Sequence, residues 1–372
     1  MINTFDFYQN LINRQIDFFA GVPDSLLANL CACIKENTPA NKNIITANEG
    51  NAVAMCAGYH ISTGKYGVVY MQNSGEGNAV NPLLSLADDD VYSIPMLLII
   101  GWRGEPGKHD EPQHVKQGKV TLTLLESIGI DYLVLDENIY LDQIDHAINY
   151  FKSNSKPFAL IVKKGMFSEY KVAKEHSPFS LTREDSLKVI LDSLGSDDIV
   201  VSTTGKTSRE IFEIREVNRQ GHCNDFLTVG SMGHTASIAF GVCQGTDHNV
   251  WCIDGDGSFI MHMGSLGVIA ANMPNNLKYI INDNAAHESV GGQPTCSSKL
   301  NLPMILKGLG FKDVIVTETK EQIASAVKTL KTHNSVALII HTKQGSRDDL
   351  GRPTTTPKEN KHDLMKKLGS LK

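Results

Sequence analysis

Short apolar runs recur along the whole chain, and each one ends in a Gly-rich or polar segment that leads into an amphipathic helical stretch. Alternation of this kind predicts a parallel sheet with helices on both faces. Six runs fall in the first half, at 17–21, 43–46, 67–72, 96–101, 132–136 and 158–163, and six in the second, at 199–203, 225–229, 250–253, 279–282, 314–317 and 336–341. The pattern therefore predicts two doubly wound α/β domains, 1–170 and 180–372, with a hinge near residue 175.

The length and charge of the chain limit its partners. At 372 residues it can form two domains with full cores. A net charge of −6 gives no electrostatic reason to expect nucleic acid or an anionic membrane surface as a partner. No run approaches the ~20 apolar residues of a membrane span. Residues 1–13 lack the features of a signal peptide and the seven cysteines are odd in number, so we expect a cytoplasmic protein.

The end of the third run in the second half has the most distinctive composition. Asp254-Gly255-Asp256-Gly257-Ser258 follows this buried strand, and the next strand ends in Asn282-Asp283-Asn284. Glycines permit close approach of the backbone to a bulky anion, and Ser258 is expected to open a helix whose N–H groups suit a phosphate. Both strands should deliver these side chains to one carboxyl edge, where carboxylate, amide and diphosphate oxygens suit Mg²⁺. An ordinary Gly-rich turn is the alternative interpretation of Gly-Asp-Gly alone.

This block resembles the signature of the thiamin-diphosphate-dependent enzymes, which opens with Gly-Asp-Gly and closes with an Asn-rich pair. The resemblance implies that Asp256, Asp283 and the main-chain carbonyl of Ala285 hold the metal. The family usually has Asn as its second ligand, so Asp283 is a departure, and Asn282 or Asn284 could take its place.

A helix of small residues in the first half, 49–59, begins with Glu49. The carboxylate could simply favour the helix dipole. The spacing of Glu49, Ala52 and Gly58 also resembles the catalytic glutamate helix of the same family. There the glutamate hydrogen-bonds the aminopyrimidine of the cofactor and activates it, and burial should raise its pKa toward the range useful for proton transfer.

Two further segments of the first half supply candidate residues. Asp24 and Ser25 follow the first strand, where either could cap a helix, although the resemblance makes Asp24 a candidate proton donor and Ser25 a substrate contact. The segment 101–118 is predicted to be a long polar loop. It contains Arg103 and Lys108 as candidate anion ligands, His114 as the preferred proton donor and His109 as the second choice.

The second half offers candidate cofactor ligands at two other strand ends. Gly205 and its neighbours suit a diphosphate or a substrate anion, but Gly205-Lys206-Thr207 is not a P-loop because position 200 is Val where the motif needs Gly. Ser231 is a backbone contact for the aminopyrimidine, and Met232 matches the large apolar residue that the family places beneath the cofactor. Gly255, Asp256, Gly257, Ser258 and Asp283 complete the predicted cofactor set.

Arg347 and Arg352, near the end of the last sheet, are candidate ligands for a phosphonate or sulfonate, with a solvated loop as the alternative. Segments such as 21–27, 101–104, 110–114, 287–295 and 350–356 resemble the phosphonopyruvate decarboxylase branch of the family, with the sulfopyruvate decarboxylases as close relatives. That branch implies pyrimidine-binding and diphosphate-binding domains without a middle domain. It also implies thiamin diphosphate and Mg²⁺ as cofactors, a small anionic 2-keto acid (phosphonopyruvate) as substrate, and a homo-oligomer, at least a dimer, whose active sites are shared between subunits. A nucleotide-dependent dehydrogenase and a non-catalytic scaffold with the same fold are the alternatives.

Overall fold

The computed structural model describes residues 1–172 and 177–370. The chain divides into two compact units: Met1–Lys174 with Val290–Gln293, and Glu175–Ser289 with Pro294–Lys372. The predicted hinge near residue 175 lies outside the described residues. No helix among those residues is both long enough and apolar enough to cross a membrane.

The first unit is built on a parallel six-stranded sheet with the order β2-β1-β3-β4-β6-β5. Its strands are β1 (Phe18–Gly21), β2 (Asn43–Ile45), β3 (Gly67–Gln72), β4 (Leu97–Gly101), β5 (Asp131–Val134) and β6 (Phe158–Val162). Its helices are α1 (Thr4–Asn13), α2 (Ala28–Asn37), α3 (Glu49–Thr63), α4 (Glu76–Pro82), α5 (Pro112–Ser127) and α6 (Tyr140–Asn154).

The second unit repeats this architecture with the order β13-β14-β10-β9-β7-β8. Its strands are β7 (Ile199–Ser202), β8 (Asp225–Leu227), β9 (Val250–Gly255), β10 (Leu277–Asp283), β13 (Asp313–Thr317) and β14 (Val336–His341), and the short strands β11 (Ala286–His287) and β12 (Gln293–Pro294) follow β10 in the chain. The helices are α7 (Arg183–Asp192), α8 (Lys206–Val217), α9 (Thr235–Cys243), α10 (Asp256–Met261), α11 (Gly264–Ala271), α12 (Leu302–Leu309), α13 (Lys320–Thr332) and α14 (Pro357–Lys367).

Each sheet is covered by apolar side chains on both faces. Successive residues of β4 illustrate this, since Leu97 and Ile99 join one buried cluster while Leu98 and Ile100 join another. The side chains of a strand alternate between faces, so a strand that is buried on both sides must be apolar throughout. This is why all twelve predicted runs overlap strands of the two sheets, and the predicted fold class is confirmed.

Strand order also defines where ligands can bind. In the second sheet the order reverses between β7 and β9, so the helices that follow these strands leave on opposite sides. The crevice outside the carboxyl ends of such strands is the usual ligand site in open α/β sheets. The predicted cofactor residues at 203–205 and 255–258 follow these two strands, and Asp283 ends the neighbouring strand β10.

Candidate active site

In the first unit Glu49 is the first residue of α3, and only 5% of its surface is exposed. Asn78 Nδ2 donates a hydrogen bond of 2.7 Å to Glu49 Oε2. Burial raises the pKa of Glu49, although the hydrogen bond from Asn78 acts in the opposite direction. A carboxylate that served only the helix dipole would face water. The buried position instead suits an acid that shares a proton with a basic group.

The Glu49 side chain occupies this position because the chain opposite it has no side chain. A Cβ atom at Gly75 would lie 2.2 Å from Glu49 Oε1 and 2.4 Å from its Cδ. The segment around Gly75, which the sequence left as a possible loop, forms a 3₁₀ turn at Asn73–Gly75 followed by α4. Helical geometry carries Asn78 back toward Glu49, so one short segment supplies both the space and the hydrogen-bond donor.

Asp24 lies between β1 and α2 and is fully buried. Its Oδ2 accepts a hydrogen bond of 3.0 Å from the backbone N–H of Leu26, and a Cβ at Gly101 would lie 2.0 Å from the same oxygen. Burial raises its pKa to about 6. Helix α2 begins at Ala28, and the residue that caps it makes no side-chain hydrogen bond. The interpretation of Asp24 or Ser25 as its N-cap is therefore wrong.

Arg103 is held close to Asp24 and is already paired. Its guanidinium forms a fork with the carboxylate of Asp110, with 2.8 Å from Nε to Oδ2, and Nη1 donates to Ser25 Oγ at 2.9 Å. Asp110 also accepts the backbone N–H of Gly104. These contacts hold the pKa of Asp110 well below its usual range even though burial opposes them. The structure thus brings Ser25, Arg103 and Asp24 together, but the charge of Arg103 is largely balanced.

The predicted long loop 101–118 is only partly a loop. Helix α5 begins at Pro112, so His114 lies in its first turn, where it is 7% exposed. Burial, and then the charge of Arg103, lower the pKa of His114. Its Nδ1 lies 3.3 Å from Gln117 Oε1, so a neutral imidazole near pH 7 has one proton to place. Lys108 and His109 are exposed in the preceding loop.

In the second unit the Gly255–Ser258 turn differs in detail from the prediction. Helix α10 begins at Asp256, two residues before the predicted start at Ser258, and the backbone at Gly255 is extended, with φ −117°. The glycines are thus not needed for a positive φ. Gly257 is needed for space, because a Cβ there would lie 3.1 Å from the ring of His287 and 3.3 Å from Met232 Cε.

Ser258 joins this turn to the segment that carries Ser231 and Met232. The backbone N–H of Gly233 donates to Ser258 Oγ at 3.1 Å. Ser231 has a positive φ of 48°, between Gly230 at 75° and Gly233 at 87°. Left-handed conformations in non-glycine residues are uncommon and tend to occur at functional sites. The predicted cofactor residues 231–232 and 255–258 therefore form one cluster.

Asp256 and Asp283 are both buried and are linked by two hydroxyl groups. Thr295 Oγ1 donates to Asp256 Oδ2 and lies 3.0 Å from Ser297 Oγ, which donates to Asp283 Oδ1 at 2.8 Å. Burial, and then the negative charge of Asp283, raise the pKa of Asp256 to about 7. Two carboxylates brought together in this way are stabilised by a cation.

The side chains of the neighbouring asparagines have other partners. Asn282 Oδ1 accepts a hydrogen bond of 2.8 Å from Ser186 Oγ on α7, since its side chain points to the opposite face of the sheet from Asp283. Asn284 Nδ2 donates to Glu288 at 2.9 Å. His341 Nδ1 lies 3.3 Å from Asp283 Oδ2, a contact that lowers the pKa of Asp283 against the effect of burial. An acid at 283 thus has a basic neighbour to offset its charge.

Ala285 is a third special backbone position, with a positive φ of 54°. Its carbonyl accepts the N–H of Thr295 at 3.0 Å, and a carbonyl oxygen has a second lone pair for another ligand. Within residues 1–172 and 177–370 no group of three or more His, Cys, Asp and Glu side chains has the arrangement of a metal site. A site of two carboxylates and one carbonyl contains no such group.

The cationic candidates of the second unit are mostly paired. Gly205 precedes α8 with φ 93°, a conformation that favours glycine, and Lys206 forms an ion pair of 3.0 Å with Glu288. Arg347 pairs with Glu184 on α7 and Glu213 on α8, which directs its charge toward these two helices. Arg352 is exposed in the segment before α14.

Comparison with known proteins bears directly on this site. The family model described as "Thiamine pyrophosphate enzyme, N-terminal TPP binding domain" matches residues 5–125, and "Thiamine pyrophosphate enzyme, C-terminal TPP binding domain" matches residues 203–341. A phosphonopyruvate decarboxylase of Streptomyces viridochromogenes is 33% identical over 96% of this chain and 93% of its own length. The chain belongs to the thiamine pyrophosphate enzymes.

Two other relatives define the branch of the thiamine pyrophosphate enzymes. A phosphonopyruvate decarboxylase of Streptomyces hygroscopicus is 32% identical over 96% of this chain and 92% of its own. A sulfopyruvate decarboxylase of Methanosarcina acetivorans is 29% identical over 87% of each chain. The chain is therefore a carbon–carbon lyase of the type that these decarboxylases represent.

The donor set of the second unit fits the diphosphate end of thiamin diphosphate and a hard cation. Asp256, Asp283 and the carbonyl of Ala285 provide oxygen ligands only, as Mg²⁺ prefers. The space beside Gly257 is closed by His287 and Met232, so the backbone there can approach a ligand without a side chain of its own intervening. These residues would hold the metal and the diphosphate.

Several side chains of the site carried no assignment from the sequence. Thr295 and Ser297 follow a Gly-Gly-Gln-Pro segment, and nothing in their spacing indicates that they bridge Asp256 and Asp283. Asn78 lies 29 residues from Glu49, so its hydrogen bond depends on the packing of α3 against α4. His287 had a possible signal, since it follows the predicted metal-binding turn by two residues.

Proposed function

We propose that this protein decarboxylates 3-phosphonopyruvate to phosphonoacetaldehyde and CO₂, using thiamin diphosphate and Mg²⁺, as a step in the biosynthesis of phosphonates such as 2-aminoethylphosphonate. The observation that carries the proposal is the end-to-end match, at 32–33% identity, to two proteins named for that reaction. The described residues supply the acids that the chemistry needs, namely Glu49 in the first unit and Asp256 in the second.

When bound, the cofactor supplies the electron sink that lets the carboxylate carbon leave as CO₂. Glu49 would hold a proton against the basic ring of the aminopyrimidine, since burial favours its protonated form. The carbon that loses CO₂ must then gain a proton. Asp24, with a pKa of about 6, and the N–H of His114 are the groups that we assign to this transfer.

Substrate charge is the second requirement. Arg103 presents Nη1 beside Ser25 while its other nitrogens are bound to Asp110, so it would orient the phosphonate rather than act as a mobile cation. Lys108 is exposed and is the further candidate in this segment. We assign Arg347 and Arg352 lower rank, because Arg347 pairs with two acids on neighbouring helices.

Side-by-side decarboxylation assays test the substrate. Purified protein with thiamin diphosphate and Mg²⁺ is expected to release CO₂ from phosphonopyruvate with a higher kcat/KM than from sulfopyruvate. Turnover of sulfopyruvate alone would assign the protein to the second candidate function, which the 29% identity to the Methanosarcina protein supports. Removal of Mg²⁺ with EDTA should abolish activity, and Mg²⁺ should restore it.

Glu49→Gln tests whether the protein is an enzyme or a non-catalytic scaffold. Gln keeps the size of the side chain but cannot share a proton with the pyrimidine. We expect cofactor affinity, measured by isothermal titration, to persist while decarboxylation falls by about 10²–10⁴-fold. Full activity in this variant would refute the role of Glu49. Subunit number, predicted as at least a dimer, remains a prediction that sedimentation analysis tests.

A further inference from the structure

Glu288 lies in a one-turn 3₁₀ helix just after β11, and its side chain contacts three different elements. Its carboxylate accepts from Arg183 Nη1 at 2.9 Å, at the start of α7. It pairs with Lys206 Nζ at 3.0 Å, at the start of α8. It accepts from Asn284 Nδ2 at 2.9 Å, in the turn after β10.

Two of these three elements carry residues of the proposed diphosphate and metal site. Asn284 stands between Asp283 and Ala285, so the bond to Glu288 fixes the turn that presents both oxygen ligands. Lys206 directly follows Gly205, and a Cβ at Gly205 would lie 2.8 Å from the Oγ of Ser289, the neighbour of Glu288. The turn and the start of α8 are thus held against the same short segment.

The third element supplies a rigid anchor. Arg183 and Glu210 are 6% and 1% exposed, and they form a fork with distances of 2.7 Å and 2.8 Å. Glu288 binds the nitrogen of Arg183 that the fork leaves over. Two cations and two carboxylates therefore balance one another, and the carboxylate of Glu288 is the one joined to both Lys206 and the turn.

We propose that Glu288 is a positioning residue that fixes the turn at 283–285 against the start of α8, so that the metal-binding and diphosphate-binding positions keep their spacing. The inference rests on the proposed metal–diphosphate site. Its chemical basis is general, since groups that orient metal ligands commonly change metal affinity by about 10–100-fold when they are replaced.

Glu288→Gln and Glu210→Gln form a matched pair for the test. Both remove one carboxylate from the same buried cluster, but only Glu288 contacts Lys206 and Asn284. Thermal unfolding is measured without ligands, and the Kd of thiamin diphosphate is measured by isothermal titration over a range of Mg²⁺ concentrations. For Glu288→Gln we expect the Kd and the Mg²⁺ requirement to rise about tenfold or more. The kcat at saturating cofactor should stay within a few-fold of the wild-type value.

For Glu210→Gln we expect the larger loss of thermal stability, because it leaves a buried arginine short of its main partner, and a nearly unchanged Kd. Equal weakening of cofactor binding in both variants would show a general effect of the cluster on folding and would overturn the inference. A wild-type Kd in Glu288→Gln would overturn it as well.

Two further variants keep the test decisive if Glu288→Gln does not fold. Lys206→Met removes one contact from a side chain that is 30% exposed, and it should weaken cofactor binding with little loss of stability. Glu288→Asp keeps the charge on a shorter side chain and should recover part of the affinity. Unchanged binding in Lys206→Met together with no recovery in Glu288→Asp contradicts the proposal. A wild-type protein that binds thiamin diphosphate but leaves phosphonopyruvate unchanged would refute the substrate and not the role of Glu288.

Discussion

Gly75→Ala perturbs Glu49 without changing its chemistry. Gly75 has ordinary helical angles, φ −81° and ψ −11°, so alanine fits the backbone. Its Cβ would lie 2.2 Å from Oε1, 2.4 Å from Cδ and 2.5 Å from Cγ of Glu49, whereas ordinary contacts begin at 3.4 Å. The carboxylate must therefore move by about 1 Å, and a displacement of that size in a catalytic group costs about 10²-fold in rate. We expect kcat/KM to fall by about that factor.

Gly77→Ala is the matched control, because it lies in the same helix and a Cβ there has no heavy atom of the described residues within 4 Å. The assay compares decarboxylation rates, cofactor Kd and thermal unfolding for both variants. In a Glu49→Gln background, Gly75→Ala should cause no further loss of activity, since the displaced group is already inactive. Full activity of Gly75→Ala, an equal loss in Gly77→Ala, or an additional 10²-fold loss in the Glu49→Gln background would each refute the reasoning.

Two further predictions concern buried acids of the first unit. Burial raises the pKa of Glu76 to about 8, so its ionised form destabilises the fold and wild-type stability should fall as pH rises from about 4.5 to 8. Glu76→Gln should remove this dependence and gain on the order of 4 kcal/mol over wild type at the alkaline end, measured by urea unfolding; a gain independent of pH contradicts the assignment. Asp24 is protonated below its pKa of about 6, so if it donates the proton, kcat/KM should fall as pH rises through that value, and the pH profile of Asp24→Asn should lack this fall.

The fold was predictable because strands buried on both faces need continuous apolar runs, and β4 is a clear case, with all five residues buried. Helix starts were less predictable. Pro112 at the first position of α5 is a recognised helix signal, but the charged residues before it favoured a loop. The start of α4 had no such signal. There the Asn73 side chain accepts the backbone N–H of Arg103, a contact from another strand end that local sequence does not contain.

The site was predictable where strand geometry decides it and not where pairing does. Asn282 and Asp283 must point to opposite faces of β10, so their separation follows from the alternation of side chains along a strand. The fork between Arg103 and Asp110 is different. Its partners lie seven residues apart in a segment with several charges, so several pairings satisfy the sequence equally well. Which cations stay available for a substrate is consequently a tertiary property.

Glu49 shows how the fold and the proposed reaction oppose each other. Burial raises its pKa, so the ionised form costs stability, and that cost grows as pH rises through the pKa of the folded protein. Glu49→Gln is free of this cost and should make the ligand-free protein more stable than wild type at alkaline pH, with little difference in acid. Cofactor binding stabilises the folded state by mass action, about 2.7 kcal/mol at a hundredfold excess over Kd. A group that gains its proton partner only from the cofactor should add to that gain, so Glu49→Gln should show a smaller rise in Tm with thiamin diphosphate and Mg²⁺. Equal ligand-free stability at every pH, together with an equal rise in Tm, would show that Glu49 has no unmet electrostatic requirement in the ligand-free fold.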